Sequence, residues 1–242
     1  MPSFFPNNVA PLPQFSSLLV KGPYHPSAPI HLALSTLDKS VEGTALFLST
    51  SSIHLNLALR QYNDDWLTTQ SGHGNLTAVS SRVQIFYPPT PAHLVFLLST
   101  FHVVESSAND SDIASSKSVL ASCPSLIVLH ELSSYFLRDV ETNPTSHKWT
   151  ISSYLNLVTH TASLISFLTR SITTNTALVL FDSRIDELRL PVVANPSNDK
   201  DRIFGLMPQP PKPEEVVALV QKYFQYTATF TEGFSSSDCL MI

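Results

Sequence analysis

Residues 15–37 read FSSLLVKGPYHPSAPIHLALSTL. The stretch opens on an apolar run (15–20), passes through KGPYHPSAP (21–29), and closes on a helical pattern. There Ile30, Ala33, Leu34 and Leu37 recur at i, i+3, i+4 and i+7. A short, continuously apolar run predicts a strand covered on both faces, and the change of period after it predicts strand, turn and helix. The unit repeats. TALFLST (44–50), VQIF (83–86), SLIVL (125–129) and ALVLF (177–181) are further apolar runs. Leu94, Leu97, Leu98 and Phe101 mark a second helix, which Thr90-Pro91 should start because Pro suits the first helical position. Tyr154, Leu157, Val158, Ile165 and Leu168 mark a third. Alternating strands and helices predict an α/β fold with a mostly parallel sheet between helices.

The 242 residues, 43% hydrophobic and 14% charged, suit one large domain at 14–242. Residues 1–13, rich in Pro and Asn, are expected to form a disordered arm. A Ser-rich insertion is expected near 105–122, a polar connection at 138–149, and a long loop at 194–213, which holds five prolines. Val216, Leu219, Val220 and Tyr223 suggest a short helix. YTATFTEGFSSSDCLMI then reads as a C-terminal β-hairpin turning at Glu232-Gly233. A net charge of −5 argues against a general basic coat for nucleic acid, so any DNA contact must be local. Two distant cysteines, Cys123 and Cys239, and no signal-like segment point to a reducing cytosolic or nuclear compartment. No apolar run reaches the length of a membrane span. The final CLMI matches a C-a-a-X box, but reads better as a short strand closing the hairpin. The Asn75 and Asn109 sequons require a secretory route that the sequence does not advertise.

The segment 21–29 sits where a phosphate-binding loop would sit. Such a loop, G-x-x-x-x-G-K-[ST], needs glycines so that backbone N–H groups can curl around phosphates. It also needs a lysine for their charge and a hydroxyl for magnesium. Laid on that pattern, Gly22 is the first glycine. Ser27 stands for the second glycine, Ala28 for the lysine, and Pro29 for the hydroxyl. Pro26 and Pro29 remove two further N–H donors. The companion motif is an acid closing an apolar strand, which holds the metal. Here SLIVL is followed by His130, and Glu131 lies one position on, where strand alternation would turn it to the other face. Strand-to-helix turns with Gly and Pro are common in α/β proteins, so the loop by itself does not establish that a nucleotide site was ever present.

RVQIFYPPTPAHLVFLLSTFH (82–102) followed by SLIVLHELSSYFLRD (125–139) resembles the small RecA-like subunit that pairs with a SWIM-domain protein in Shu-type recombination complexes. The likeness rests on Arg82, Tyr87-Pro88-Pro89, His102, an apolar strand followed by His130 at the acidic position, and Leu132 with Tyr135. The runs around 15–20, 44–50 and 177–181 extend it in order. The resemblance implies a RecA-like P-loop NTPase core with a C-terminal hairpin, in a paralogue of the RecA-type recombinases. Such a paralogue works in the nucleus, as a heterodimer with a SWIM-domain protein. It binds single-stranded DNA and supports the recombinase filament in homologous-recombination repair. The departures at Ser27, Ala28, Pro29 and His130 imply a subunit that is no enzyme, with ATP and magnesium bound weakly or not at all. The alternative is a P-loop ATPase or switch with an unconventional site at Gly22 and Glu131.

Other chemistry finds less support. His25, His31, His54 and His73 lack ligand spacing, and His130-Glu131 lacks the second histidine of H-E-x-x-H. No G-x-S-x-G elbow occurs. Tyr87 could stack on a base, or simply pack at a strand end. Arg184, Arg189, Lys200 and Arg202 follow the fourth apolar strand, where RecA-like proteins carry DNA-facing loops, and are the candidate DNA contacts. Asp182, Asp186, Glu187, Asp199 and Asp201 dilute that charge, so a solvated loop of mixed charge is the competing reading.

Overall fold

A computed structural model describes residues 2–5, 12–38, 42–103, 118–142, 149–171, 175–193 and 212–231. Its centre is a six-stranded, wholly parallel sheet. The strands are β1 (Ser17–Lys21), β2 (Ala45–Ser49), β3 (Val83–Phe86), β6 (Leu126–His130), β7 (Ala177–Asp182) and β10 (Tyr226–Thr229). They lie in the order β10-β1-β7-β6-β2-β3. In the register, Leu19 sits opposite Leu180 and Thr227, and Phe47 opposite Val128 and Ile85. Two small ribbons lie outside this sheet. β4 (His102–Val103) pairs in parallel with β5 (Val119–Leu120), and β8 (Arg189–Pro191) pairs antiparallel with β9 (Pro213–Glu215).

The central strands are apolar on both faces because each face carries its own core. Leu18 and Val20, Ala45 and Phe47, Leu126 and Val128, and Val179 and Phe181 point into one core. It is shared with α1 (Ala28–Leu37), with Leu55 of α2 (Ser52–Gln61) and with Val79 of α4 (Gly74–Ser80). Leu19, Leu46, Leu48, Ile127, Leu129, Leu178 and Leu180 point into the other. There they meet α5 (Pro91–Thr100), α6 (Ser133–Thr142), α7 (Ile151–Leu168) and α8 (Val217–Val220). A short α3 (Asp65–Gln70) lies between α2 and α4. Among the described residues, no helix is long and apolar enough to cross a membrane.

The expected start of α5 holds. Thr90 caps α5, its hydroxyl accepting the His93 N–H at 3.3 Å, with Pro91 in the first turn. Thr150 and Ser153 form a capping box at α7. Other expectations need correction. Phe4, assigned to a disordered arm, is 1% exposed and packs edge-on against Phe181 and Phe230. Leu12 is buried in the same core. α6 runs to Thr142 into the expected polar connection, and β5 occupies the end of the expected insertion. The 194–213 loop is held at its downstream end, where Pro213 begins β9. β10 joins the sheet in parallel with β1. The proposed turn at Glu232-Gly233 and the CLMI segment lie outside the described residues.

Candidate functional site

Because all six strands run the same way, the residues that follow them gather on one carboxyl edge, where open α/β sheets bind ligands. The loop after β1 carries Gly22 in the left-handed region, at φ +85°. A Cβ built there would stand 2.0 Å from the carbonyl oxygen of Phe230. The Phe230 N–H in turn donates to the Lys21 carbonyl at 2.8 Å. Glycine is therefore required by the chain leaving β10, independently of any phosphate. Ser27, Ala28 and Pro29, at the positions of the second glycine, the lysine and the hydroxyl, are all buried. The Ala28 N–H donates to His25 O at 2.8 Å, and the Ser27 hydroxyl shares a 2.7 Å hydrogen bond with His25 Nδ1. Lys21, one residue before Gly22, is paired with Asp186 at 2.9 Å.

Tyr24 dominates this edge. Its ring, 8% exposed, packs against Phe181 at 5.2 Å and against His130 and Phe230 at 6.4 Å. Its hydroxyl donates to Glu131 Oε1. Burial and the adjacent Glu131 charge push the Tyr24 hydroxyl pKa well above its ordinary value, so it stays a donor. Glu131 also accepts the Ser183 N–H at 3.1 Å and the Ser183 hydroxyl at 2.9 Å. Its backbone is left-handed, at φ +58°. That turn, just past the end of β6, overrides the strand alternation that would have sent Glu131 to the opposite face, and aims the carboxylate between the loops after β1 and β7. His130 is buried beside Phe47 and shares a 3.0 Å hydrogen bond with Ser49. Burial lowers its pKa, leaving a neutral ring. The acidic position of the motif is thus filled by an uncharged core side chain, and the neighbouring acid is fully engaged by protein donors.

A second acid, which sequence reasoning placed among solvated loop charges, is fully buried. Asp182 ends β7 and turns toward α6 and α7. It accepts the Ser133 N–H at 2.8 Å, the Ser133 hydroxyl, and the Tyr154 hydroxyl at 2.7 Å. Burial and then the Glu131 charge raise its pKa to about 7. Sequence reasoning had no local sign of this. Its partners lie 49 and 28 residues away.

The candidate DNA contacts divide. Arg184 follows β7 at the carboxyl edge, exposed and paired with Glu187 at 2.9 Å. Arg189 lies in β8, exposed and paired with Glu215 at 2.9 Å. Exposed pairs of this kind are worth about 0–1 kcal/mol, so they do not withhold either guanidinium from a phosphate. Lys200 and Arg202 lie outside the described residues. Tyr87 is 38% exposed. The adjoining Pro88 carbonyl accepts the buried Tyr135 hydroxyl, so the Tyr-Pro-Pro block and the Leu-x-x-Tyr block meet in space. Among the described residues, no group of three or more His, Cys, Asp or Glu is placed to hold a metal. Comparison with protein-family models and with curated proteins finds no match to this chain.

Proposed function

We propose that this chain is a non-catalytic RecA-like recombinase paralogue. In this reading it pairs with a SWIM-domain protein in a Shu-type complex and supports recombinase filaments on single-stranded DNA in the nucleus. One observation carries the reading. A parallel α/β core has, at the edge where a triphosphate would sit, the ring of Tyr24 held by its hydroxyl on Glu131, whose carboxylate also accepts from Ser183. The buried Ser27-Ala28-Pro29 segment and the neutral His130 support it further, since neither supplies charge to a phosphate or a metal. A core of this kind works through its surfaces. Ile53 and Leu57, one turn apart on α2, are 74% and 61% exposed, as suits a protein partner. The P-loop enzyme alternative gains no comparable observation.

The test is co-purification of the chain with SWIM-domain proteins from its native cells, then binding of a labelled oligonucleotide by the purified complex. The expected outcome is a stable heterodimer whose single-strand affinity falls steeply with salt. Replacing Arg184, Arg189, Lys200 and Arg202 with Ala should weaken that affinity and flatten its salt dependence. A folded monomer that recovers no such partner, and a chain indifferent to single strands, would refute the reading.

A further inference from the structure

A cavity of about 410 Å³ lies beside α1, away from the Tyr24 network, closed by α3, α4 and Phe5. That volume is in the range of small-molecule sites. Phe5, Leu34, Trp66 and Leu76 wall it, with the Trp66 ring edge-on to His31 at 5.2 Å.

His31 is the polar group that gives the cavity a direction. It is 3% exposed, and its Nε2 meets Asp64 Oδ2 at 2.7 Å. Asp64 is itself fixed, its Oδ1 accepting the Leu67 N–H at 2.9 Å. Burial alone would raise the pKa of Asp64. Hydrogen bonds from Ser27, the Leu67 N–H and His31 outweigh that and hold it at about 2, so the acid is ionised. Burial keeps His31 neutral. An ionised acceptor at Nε2 fixes the proton there and leaves the lone pair on Nδ1. Among the described residues Nδ1 has no hydrogen-bond partner, yet no buried side-chain nitrogen or oxygen among them lacks one. Nδ1 therefore borders accessible space, and His31 lines this cavity. Among the described residues, the lining includes Asp38 and no lysine or arginine, which disfavours carboxylates and phosphates.

We propose that this cavity binds a small, uncharged, planar heteroaromatic molecule whose ring N–H donates to His31 Nδ1 while its faces pack against Phe5 and Trp66. The probe is indole, titrated into the ¹⁵N-labelled full chain. Indene, the same frame without the N–H, and benzoate, a planar anion, serve as comparisons. Indole should shift the Trp66 indole resonance saturably, with a Kd of about 1 mM or tighter, and leave that of Trp149 in place. Indene and benzoate should each bind at least about tenfold more weakly. Leu76→Trp, which takes up cavity volume while leaving His31 and Asp64 unsubstituted, should abolish the shift if the variant folds. The indole–indene difference decides the matter if it does not. An unshifted Trp66, indene or benzoate binding as tightly as indole, or a folded Leu76→Trp protein that still binds indole, would each overturn the proposal.

Discussion

Gly22 and Asp182 show how single positions at the carboxyl edge are set by partners far along the chain. Gly22 combines a left-handed backbone with the Phe230 carbonyl in the place of a side chain. Gly22→Ala should therefore destabilise the fold by at least about 2 kcal/mol in urea unfolding, without any ligand present. An unchanged midpoint would show that the chain near Phe230 yields easily. Asp182 makes a prediction in pH. Its folded pKa of about 7 lies above the ordinary carboxylate value of 3.8, so between those limits the folded state holds the proton more tightly than the unfolded one. Its contribution to stability is then fully present at low pH, declines as pH rises toward 7, and is flat above. Asp182→Asn keeps an acceptor for Ser133 but removes the titration. Relative to the parent, the variant should gain stability between about pH 4 and pH 7, and no further above that, in urea unfolding. A constant difference across that range would contradict the buried, proton-sharing environment of Asp182, Glu131 and Tyr154.

Elements were legible in proportion to how much of their surface faces a core. The apolar runs at β1, β2, β6 and β7 became central strands because both faces are covered. α7 showed its stripe because seven of its residues are buried on one side. The helices α2 to α4 escaped notice for the opposite reason. α2 buries only Leu55, α4 only Val79, and α3 nothing, so no periodic stripe exists to read. Their legible marks were caps. The Ser51 side chain accepts the His54 N–H at 3.3 Å, and Asp64 accepts that of Leu67. β10 was found, but its parallel pairing with β1 was not, since YTATF carries no sign of strand direction. In the site, Gly22 and Glu131 were legible from motif spacing, whereas Tyr24 was not, because its partner lies 107 residues away. The Tyr135–Pro88 link yields a prediction between elements. Tyr135→Phe leaves the buried Pro88 carbonyl without its donor and should cost about 1–3 kcal/mol, read by urea unfolding, with secondary structure intact by circular dichroism. No loss of stability would show that the carbonyl finds another donor.

At the scale of the whole molecule, one sheet separates two cores, and among the described residues its carboxyl edge is closed by its own side chains. The α1-side core ends there in Tyr24, Phe181 and His130, and the α7-side core ends in Asp182 held by Ser133 and Tyr154. A triphosphate would have to displace the Tyr24 ring, break its hydrogen bond to Glu131, and bring its own charge next to two acids, with Ala28 where the motif's lysine would stand. This closure underlies the reading of the chain as a subunit that acts by binding. Isothermal calorimetry of ATP with magnesium, titrated into the full chain to about 1 mM nucleotide, tests it most directly. The account predicts no saturable heat. A one-to-one isotherm with a micromolar Kd that requires magnesium would contradict it.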